Sequence, residues 1–332
     1  MGDAVTIKDV ARRANVSVAT VSRALNGHHN VALAVRQRVL SIAGELHYRP
    51  HHAARSLSSR RTHTIGVVLP DLHGEFFSEL IRGIDAVARE RGLHLLVSSC
   101  HGHPEEQGEA VRAMRGRVDG LLVMSPFVDD AGLLRDCLSP ALPTVFVNSR
   151  LPDAGHRALG IDHYGGARAM MRHLAACGYQ RIAFIAGPED NADACERLRG
   201  YHDALVDLHG ARPWVLQGAF DEASGQEAGR SLLASAQRPD AVFAANDMMA
   251  LGCLFAFSEA GLRVPDDIAL AGFDDIPLAR YVHPALTTMR VDIADLGTRA
   301  MLALLDPDSP LDATVTATLA ARASTQARND SS

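Results

Sequence analysis

Apolar residues near the start of the chain recur at helical spacing. Ile7, Val10, Ala11, Val16, Val21 and Leu25 fall where two short helices would share one small core. Thr6, with Asp9 three residues on, can cap the first helix, and Ser17 can cap the second. A turn at Ala14, Asn15 and Val16 separates them, leaving the start of the second helix outward. The same periodicity predicts a third helix from about Ala32 to Leu46, burying Val35, Val39, Ile42, Ala43 and Leu46. No capping residue stands at Ala32, so that helix starts uncapped or takes its cap from Asn30. Spacing alone is met equally by a helix-turn-helix and by an ordinary αα-hairpin.

Pro50 disfavours α geometry at Arg49 and ends this region. The stretch His51 to Leu57 is too short to hold a helix unaided, so alone it reads as a disordered linker. Ser58 to Thr64, with Arg60 and Arg61, completes a tether.

From Thr64 the period switches to strand, helix, strand, helix. Strands are predicted at 64–69, 94–98, 120–124 and 144–147, with helices starting near Phe76, Glu105 and Asp130. A second series has strands at 158–161, 181–186, 214–216, 241–244 and 268–271. Its helices run from about Tyr164 and over 193–208, 223–234 and 248–260. The tail returns with 287–292, a helix to Leu305, and 315–323. The fold class is therefore an all-α head followed by an α/β body of two parallel-sheet subdomains. Ligands of open parallel sheets sit beyond the strands' carboxyl ends, which makes the cleft between subdomains the natural site.

A chain of 332 residues exceeds what one core usually organises, in keeping with more than one domain. Its net charge of −6 hides an asymmetry. Residues 1–61 hold ten Lys and Arg against three acids, giving +7; the remainder holds 23 bases against 36 acids, giving −13. A basic head on an acidic body suits a head that touches phosphates. Lys8 is the only lysine, so the sign of the charge is informative and the Arg richness is not. No stretch approaches the length of a membrane span, and no apolar segment precedes a cleavage-type site, so a cytoplasmic protein without membrane contact is expected. Cys100, Cys137, Cys177, Cys195 and Cys253 are scattered singly, as expected of reduced buried thiols.

The string TIKDVARRANVSVATVSRALNG at residues 6–27 closely resembles the N-terminus of the lactose-repressor/galactose-repressor family of bacterial transcription regulators. The resemblance continues through ERLRGY, AANDMMALG, AGFDDIPLARYVHPALTTMRVD and LAARAST. It implies a sequence-specific DNA-binding regulator, most often a repressor, with a body like the periplasmic sugar-binding proteins. Its boundaries would be a DNA-binding domain at 1–60, with a hinge helix at about 51–58, and an effector-binding and dimerisation domain at 61–332. The N-subdomain would take about 63–161 and 291–318, and the C-subdomain 162–289 and 319–328, with crossings near Asp162, Arg290 and Leu319.

On the DNA side, Val18, Ala19 and Arg23 take the positions that choose the half-site. Arg can bridge guanine O6 and N7, whereas Val and Ala read only methyls and shape. Thr20, Ser22 and Asn26 look like phosphate or base-edge helpers, and Thr6, Ser17 and Arg55 complete the candidate contacts. Leu57 takes the place of the leucine that wedges into the central minor groove and kinks the duplex. A homodimer on a near-palindromic operator of about two helical turns follows. No leucine heptad follows Thr325, so no tetramerising helix is expected.

The family's effector positions map onto Phe76, Phe77, Asn148, Arg150, Asp162, Arg197, Phe220, Asn246 and Asp274. Arg, Asp and Asn can bind vicinal hydroxyls, and Phe can stack on a sugar face. A small carbohydrate controlling carbohydrate uptake or catabolism genes is the first reading. A nucleobase or nucleoside is the alternative, since stacking suits purines too. Phe77 also fits the core, Arg150 a solvated loop, and Asp274 with Asp275 a capping pair. A solute-binding protein of the same body fold is disfavoured by the helix-turn-helix. Neither His101 with His103 nor His51 with His52 has partners at metal-ligand spacing, so no metal or cofactor is expected. No nucleophile–base motif is present, and an enzyme is not expected.

Overall fold

A computed structural model of the chain describes residues 5–25, 30–48, 61–127, 134, 136–149, 157–207, 212–311 and 313–326. The chain divides into two units, residues 1–62 and 63–332.

In the first unit, helices α1 (Ile7–Ala14), α2 (Val18–Leu25) and α3 (Leu33–Glu45) enclose Val10, Ala14, Val21, Val39 and Ala43. Ile7, Val16, Val35, Ile42 and Leu46 pack around them half-buried. The α1 start is tied by Asp9, whose carboxylate accepts the Thr6 backbone N–H at 3.0 Å and its hydroxyl at 2.7 Å. Those two bonds hold the Asp9 carboxyl below its usual range. The turn is made at Asn15, whose left-handed φ of 50° a short polar side chain tolerates. Ser17 Oγ then accepts the Thr20 N–H at 3.1 Å and caps α2. Ala32 stands at the α3 N-cap with no side-chain cap bond.

The second unit holds two six-stranded sheets. The first comprises β1 (Thr64–Leu69), β2 (His94–Ser99), β3 (Gly120–Met124), β4 (Thr144–Val147), β5 (Arg157–Ile161) and β11 (Thr314–Val315). Its order is β2-β1-β3-β4-β5-β11, with every pair parallel. The second comprises β6 (Ile182–Ala186), β7 (Val215–Gln217), β8 (Ala241–Ala244), β9 (Ala269–Asp274), β10 (Thr287–Arg290) and β12 (Thr318–Ala320). It repeats the plan as β7-β6-β8-β9-β10-β12, and only β12 runs antiparallel to its neighbour. Central strands such as LLV, IAFIA and AVFA are buried on both faces, which is why they read as unbroken apolar runs rather than alternating ones.

Helices α4 (Glu75–Glu90), α5 (Pro104–Met114) and α10 (Ile293–Leu305) flank the first sheet. Helices α6 (His163–Ala176), α7 (Ala192–Asp207), α8 (Glu222–Ala234) and α9 (Asp247–Glu259) belong with the second. The chain passes between sheets after Ile161, after Arg290, and at Thr316 and Ala317 between β11 and β12.

Several local expectations shift, most by a single residue at a strand end. The segment expected as one strand over 315–323 is two short strands, one in each sheet. Strand β7 lies one residue later than expected, at 215–217. Strand β9 runs on to Asp274 instead of stopping at Ala271, because β10 pairs with it as far as Arg290 opposite Asp274. The helix expected near Asp130 begins outside the described residues.

Candidate effector cavity and DNA-binding surface

In both sheets the order reverses beside the first strand, and at such a switch point neighbouring loops diverge to leave a crevice. Loops after β1, β3 and β4 and those after β6, β7, β8 and β9 face one another around a cavity of about 580 Å³. The β1 loop supplies His73, Phe76 and Phe77, and the end of β4 supplies Asn148. The second sheet contributes Asp190 and Asp193, Arg197 from α7, Phe220, Asn246 and Asp274.

Arg197 is the fixed centre of this wall, only 4% exposed. Its Nη2 donates to Asp274 Oδ1 at 3.1 Å, its Nε to His163 Nδ1 at 3.2 Å, and its Nη1 to the Ala245 carbonyl. The guanidinium lies 4.0 Å from the centroid of the Phe273 ring and 5.8 Å from that of Phe220. Three of its N–H donors are thus engaged, and a guanidinium carries five. Burial pushes the Asp274 carboxyl up to about 6, although Arg197 and His163 pull against that shift. Asp274 also adopts φ 114°, a conformation that costs a non-glycine residue of order 1–3 kcal/mol and that clusters at functional sites.

Asn246 ends the β8 loop and caps α9, with Oδ1 accepting the Met249 N–H at 2.9 Å. Its Nδ2 donates to the Phe220 carbonyl at 2.9 Å, which ties two cavity loops together. Asn148 Oδ1 accepts the Ile161 N–H at 3.1 Å, while its buried Nδ2 has no partner among the described residues. Phe76 and Phe77 pack edge to face at 5.6 Å and sit half-buried between core and cavity. Several contacts join the two sets of loops. His73 Nε2 lies 2.9 Å from Glu222 Oε2, the Leu278 N–H donates to Glu75 Oε2 at 2.8 Å, and the Ala192 N–H donates to the Pro126 carbonyl at 2.6 Å.

On the head, Val18, Ala19 and Arg23 are exposed along one side of α2, with Thr20 and Ser22 half-exposed beside them. Val18 keeps 42% of its surface in solvent although Val21 and Ala24, on the opposite side, are buried. An outward apolar residue at a helix start is spare surface, available for a groove.

Residues 6–51 match the family described as bacterial regulatory proteins, lacI family, and residues 171–325 match a periplasmic binding protein-like domain. The HTH-type transcriptional regulator GalR of Salmonella typhimurium is 37% identical over 299 residues, which is 89% of this chain and 87% of that protein. The chain belongs to the lacI family of bacterial regulatory proteins. Among solved structures, the Lac repressor dimer bound to operator and the anti-inducer ONPF superposes with a TM-score of 0.86 at 31% identity, covering 97% of this chain and 99% of that one. The complex of the transcriptional regulator CelR with cellobiose gives a TM-score of 0.69 at 31% identity, covering 96% of this chain and 99% of that one. This lacI-family chain is a DNA-binding transcription regulator, and its relatives are regulators rather than enzymes.

Within this family frame, the cavity gathers Phe76, Phe77, Asn148, Arg197, Phe220, Asn246 and Asp274. Asp162 is not among its lining residues: its Oδ1 accepts the Gly165 N–H at 2.8 Å and caps α6. Arg150, Asn26, Arg55 and Leu57 lie outside the described residues. Thr6 and Ser17 serve helix starts, as above. Sequence reasoning missed Asp190, Asp193 and His163, which stands 3.2 Å from Asp193 behind Arg197. The rule that ligands gather beyond strand carboxyl ends pointed to the segment after β6, whose loop holds Asp190 and whose following helix α7 holds Asp193 in its first turn. Nothing in the sequence marked His163, a polar residue buried in the first turn of α6. Among the described residues no cluster of His, Cys, Asp or Glu could hold a metal ion, and no helix is long and apolar enough to cross a membrane.

Proposed function

We propose that this regulator is a repressor whose operator affinity is set by a small polyhydroxyl effector, foremost a carbohydrate, bound in the cavity. The observation that carries this is the buried Arg197–Asp274 pair together with the open Asn148 Nδ2, all lining one cavity. Such a wall offers fixed donors and acceptors, and Phe76, Phe77 and Phe220 supply apolar faces for a ring. The CelR relative was solved as a complex with cellobiose, and a sugar would fit the lining of this cavity.

Contacts that cross the cleft give the mechanism its handle. An effector that bridges the two walls favours one arrangement of the subdomains. A differential affinity of about 10²-fold is worth about 2.8 kcal/mol, enough to empty or fill an operator. On the DNA, Arg23 reads a guanine of each half-site, while Val18 and Ala19 select by methyl contact and shape.

Operator-binding titrations with two variants test both halves. Arg197→Lys keeps the charge but loses the planar fork, so operator affinity should persist while the effector response weakens by about tenfold or more. Arg23→Ala should relax preference at one guanine per half-site while the effector still binds. A normal effector response in the first, or an unchanged footprint in the second, overturns that half of the reading.

A further inference from the structure

Among the described residues, the charge on the cavity wall is strongly one-sided. Asp71, Asp190, Asp193, Asp221 and Asp274 all line it. Against them, the cations among the described residues are Arg197, already paired with Asp274, and His73. His73 is itself paired with Glu222 at the mouth, and that contact raises its pKa. Helix N-termini around the cavity would ordinarily favour an anion. Here acidic residues occupy two of them: Asp221 caps α8 through the Ser224 N–H at 2.8 Å, and Asp193 lies in the first turn of α7. The α9 start is capped by Asn246.

A second, independent feature concerns the ligand directly. Asn148 is 5% exposed and lines the cavity, yet among the described residues its Nδ2 meets no acceptor. A buried amide donor left open in a cavity wall is available to an acceptor oxygen of a ligand. The aspartates call for the reverse, groups that donate. A polyhydroxyl compound answers both, be it a polyol, a glycoside or a nucleoside, since its oxygens accept and its hydroxyls donate.

We infer that the effector carries no phosphate or carboxylate, and that the cavity selects uncharged or amino-bearing polyhydroxyl compounds against their phosphorylated forms. This rests on the effector reading of the cavity and sharpens it. A phosphomonoester would add a charge of nearly −2 beside these carboxylates, while Arg197 and His73 are already paired with carboxylates. An added amino group would instead be drawn to them.

The test titrates the full chain by calorimetry with glucose, galactose, ribose and cytidine, each against its phosphomonoester, and with glucosamine. The expected result is that at least one neutral compound or glucosamine binds, with the matching ester about tenfold or more weaker. The double variant Asp71→Asn with Asp190→Asn, two exposed rim positions whose shape it preserves, should narrow that ratio several-fold. An ester that binds as tightly as its parent, or a ratio unmoved by the double variant, overturns the charge selection while leaving the effector cavity standing. Silence from every neutral compound and every ester overturns the effector reading itself, and this inference with it.

Discussion

At the end of β9 one carboxylate gathers three arginines. Asp275 lies 2.6 Å from Arg290 Nε, 3.3 Å from Arg280 and 2.5 Å from Arg322. These contacts clamp β9 to the ends of β10 and β12, near two of the passages between sheets. Burial alone would raise this carboxyl, but its bonds to Arg290 and Arg322 hold it below the ordinary 3.8. A carboxyl depressed in the folded state stabilises above its unfolded value and loses that contribution as pH falls through the folded one. Asp275→Asn should therefore cost about 2–3 kcal/mol at neutral pH, discounted because two of the arginines are half-exposed. Urea unfolding of both proteins should show that gap closing as the pH drops below 3.8. Asp274, one residue earlier, is shifted the opposite way, and no feature of the string GFDD separates the two. Their difference arises in three dimensions: Asp274 meets one arginine on the cavity wall, whereas Asp275 meets three just past the end of β9. What the sequence did convey was position, since Phe76, Asn148, Asn246 and Asp274 all stand at or just beyond strand carboxyl ends. Asp162 stands in such a place too, and its role as a cap was legible only in the helix that follows it.

Among the elements, α4 and α10 cross with almost no space between their backbones. A Cβ on Gly83 would lie 1.9 Å from the Ala294 carbonyl oxygen, and one on Gly297 would lie 2.3 Å from that of Leu80. Gly83→Ala must push the helices apart, so a loss of about 2–3 kcal/mol is expected in thermal unfolding. A loss under about 0.5 kcal/mol would mean that the crossing yields easily. The opposite sign is expected at α3, where Ala32 leaves the first turn without a side-chain cap. Ala32→Ser should stabilise that helix by about 1 kcal/mol, read as slower hydrogen exchange at its amides. Elements of both kinds were visible as periodicity, and the missing cap was visible as a residue type. The continuation of β9 through Gly272 was not, because a glycine interrupts an apolar run and only the pairing partner β10 restores the strand. The division of 315–323 between two sheets was equally hidden, for strands of two and three residues carry too few positions to show a period.

For the molecule as a whole, the doubled α/β series in the sequence was enough to imply two parallel sheets and a cleft, and both are present. The side of the cleft that would be acidic could not be read the same way. Asp71, Asp190 and Asp221 are far apart in sequence, and only the facing of two sheets brings them to one cavity. Charge is also divided along the chain, +7 over residues 1–61 against −13 over the rest, and each part should answer salt differently. Operator binding draws on the basic part and releases counterions from the duplex. If six to ten phosphates are neutralised, affinity should fall by about 10³–10⁵ between 50 and 200 mM salt. Binding of an uncharged effector releases no counterions, so its affinity should change little over the same range. Fluorescence anisotropy with labelled operator and calorimetry with the effector measure the two slopes on one preparation. A steep slope for DNA and a flat one for the effector is the expected pair. A flat DNA slope would mean that the basic residues do not meet phosphates. A steep effector slope would mean that the ligand is itself charged, which the carboxylates on the cavity wall argue against.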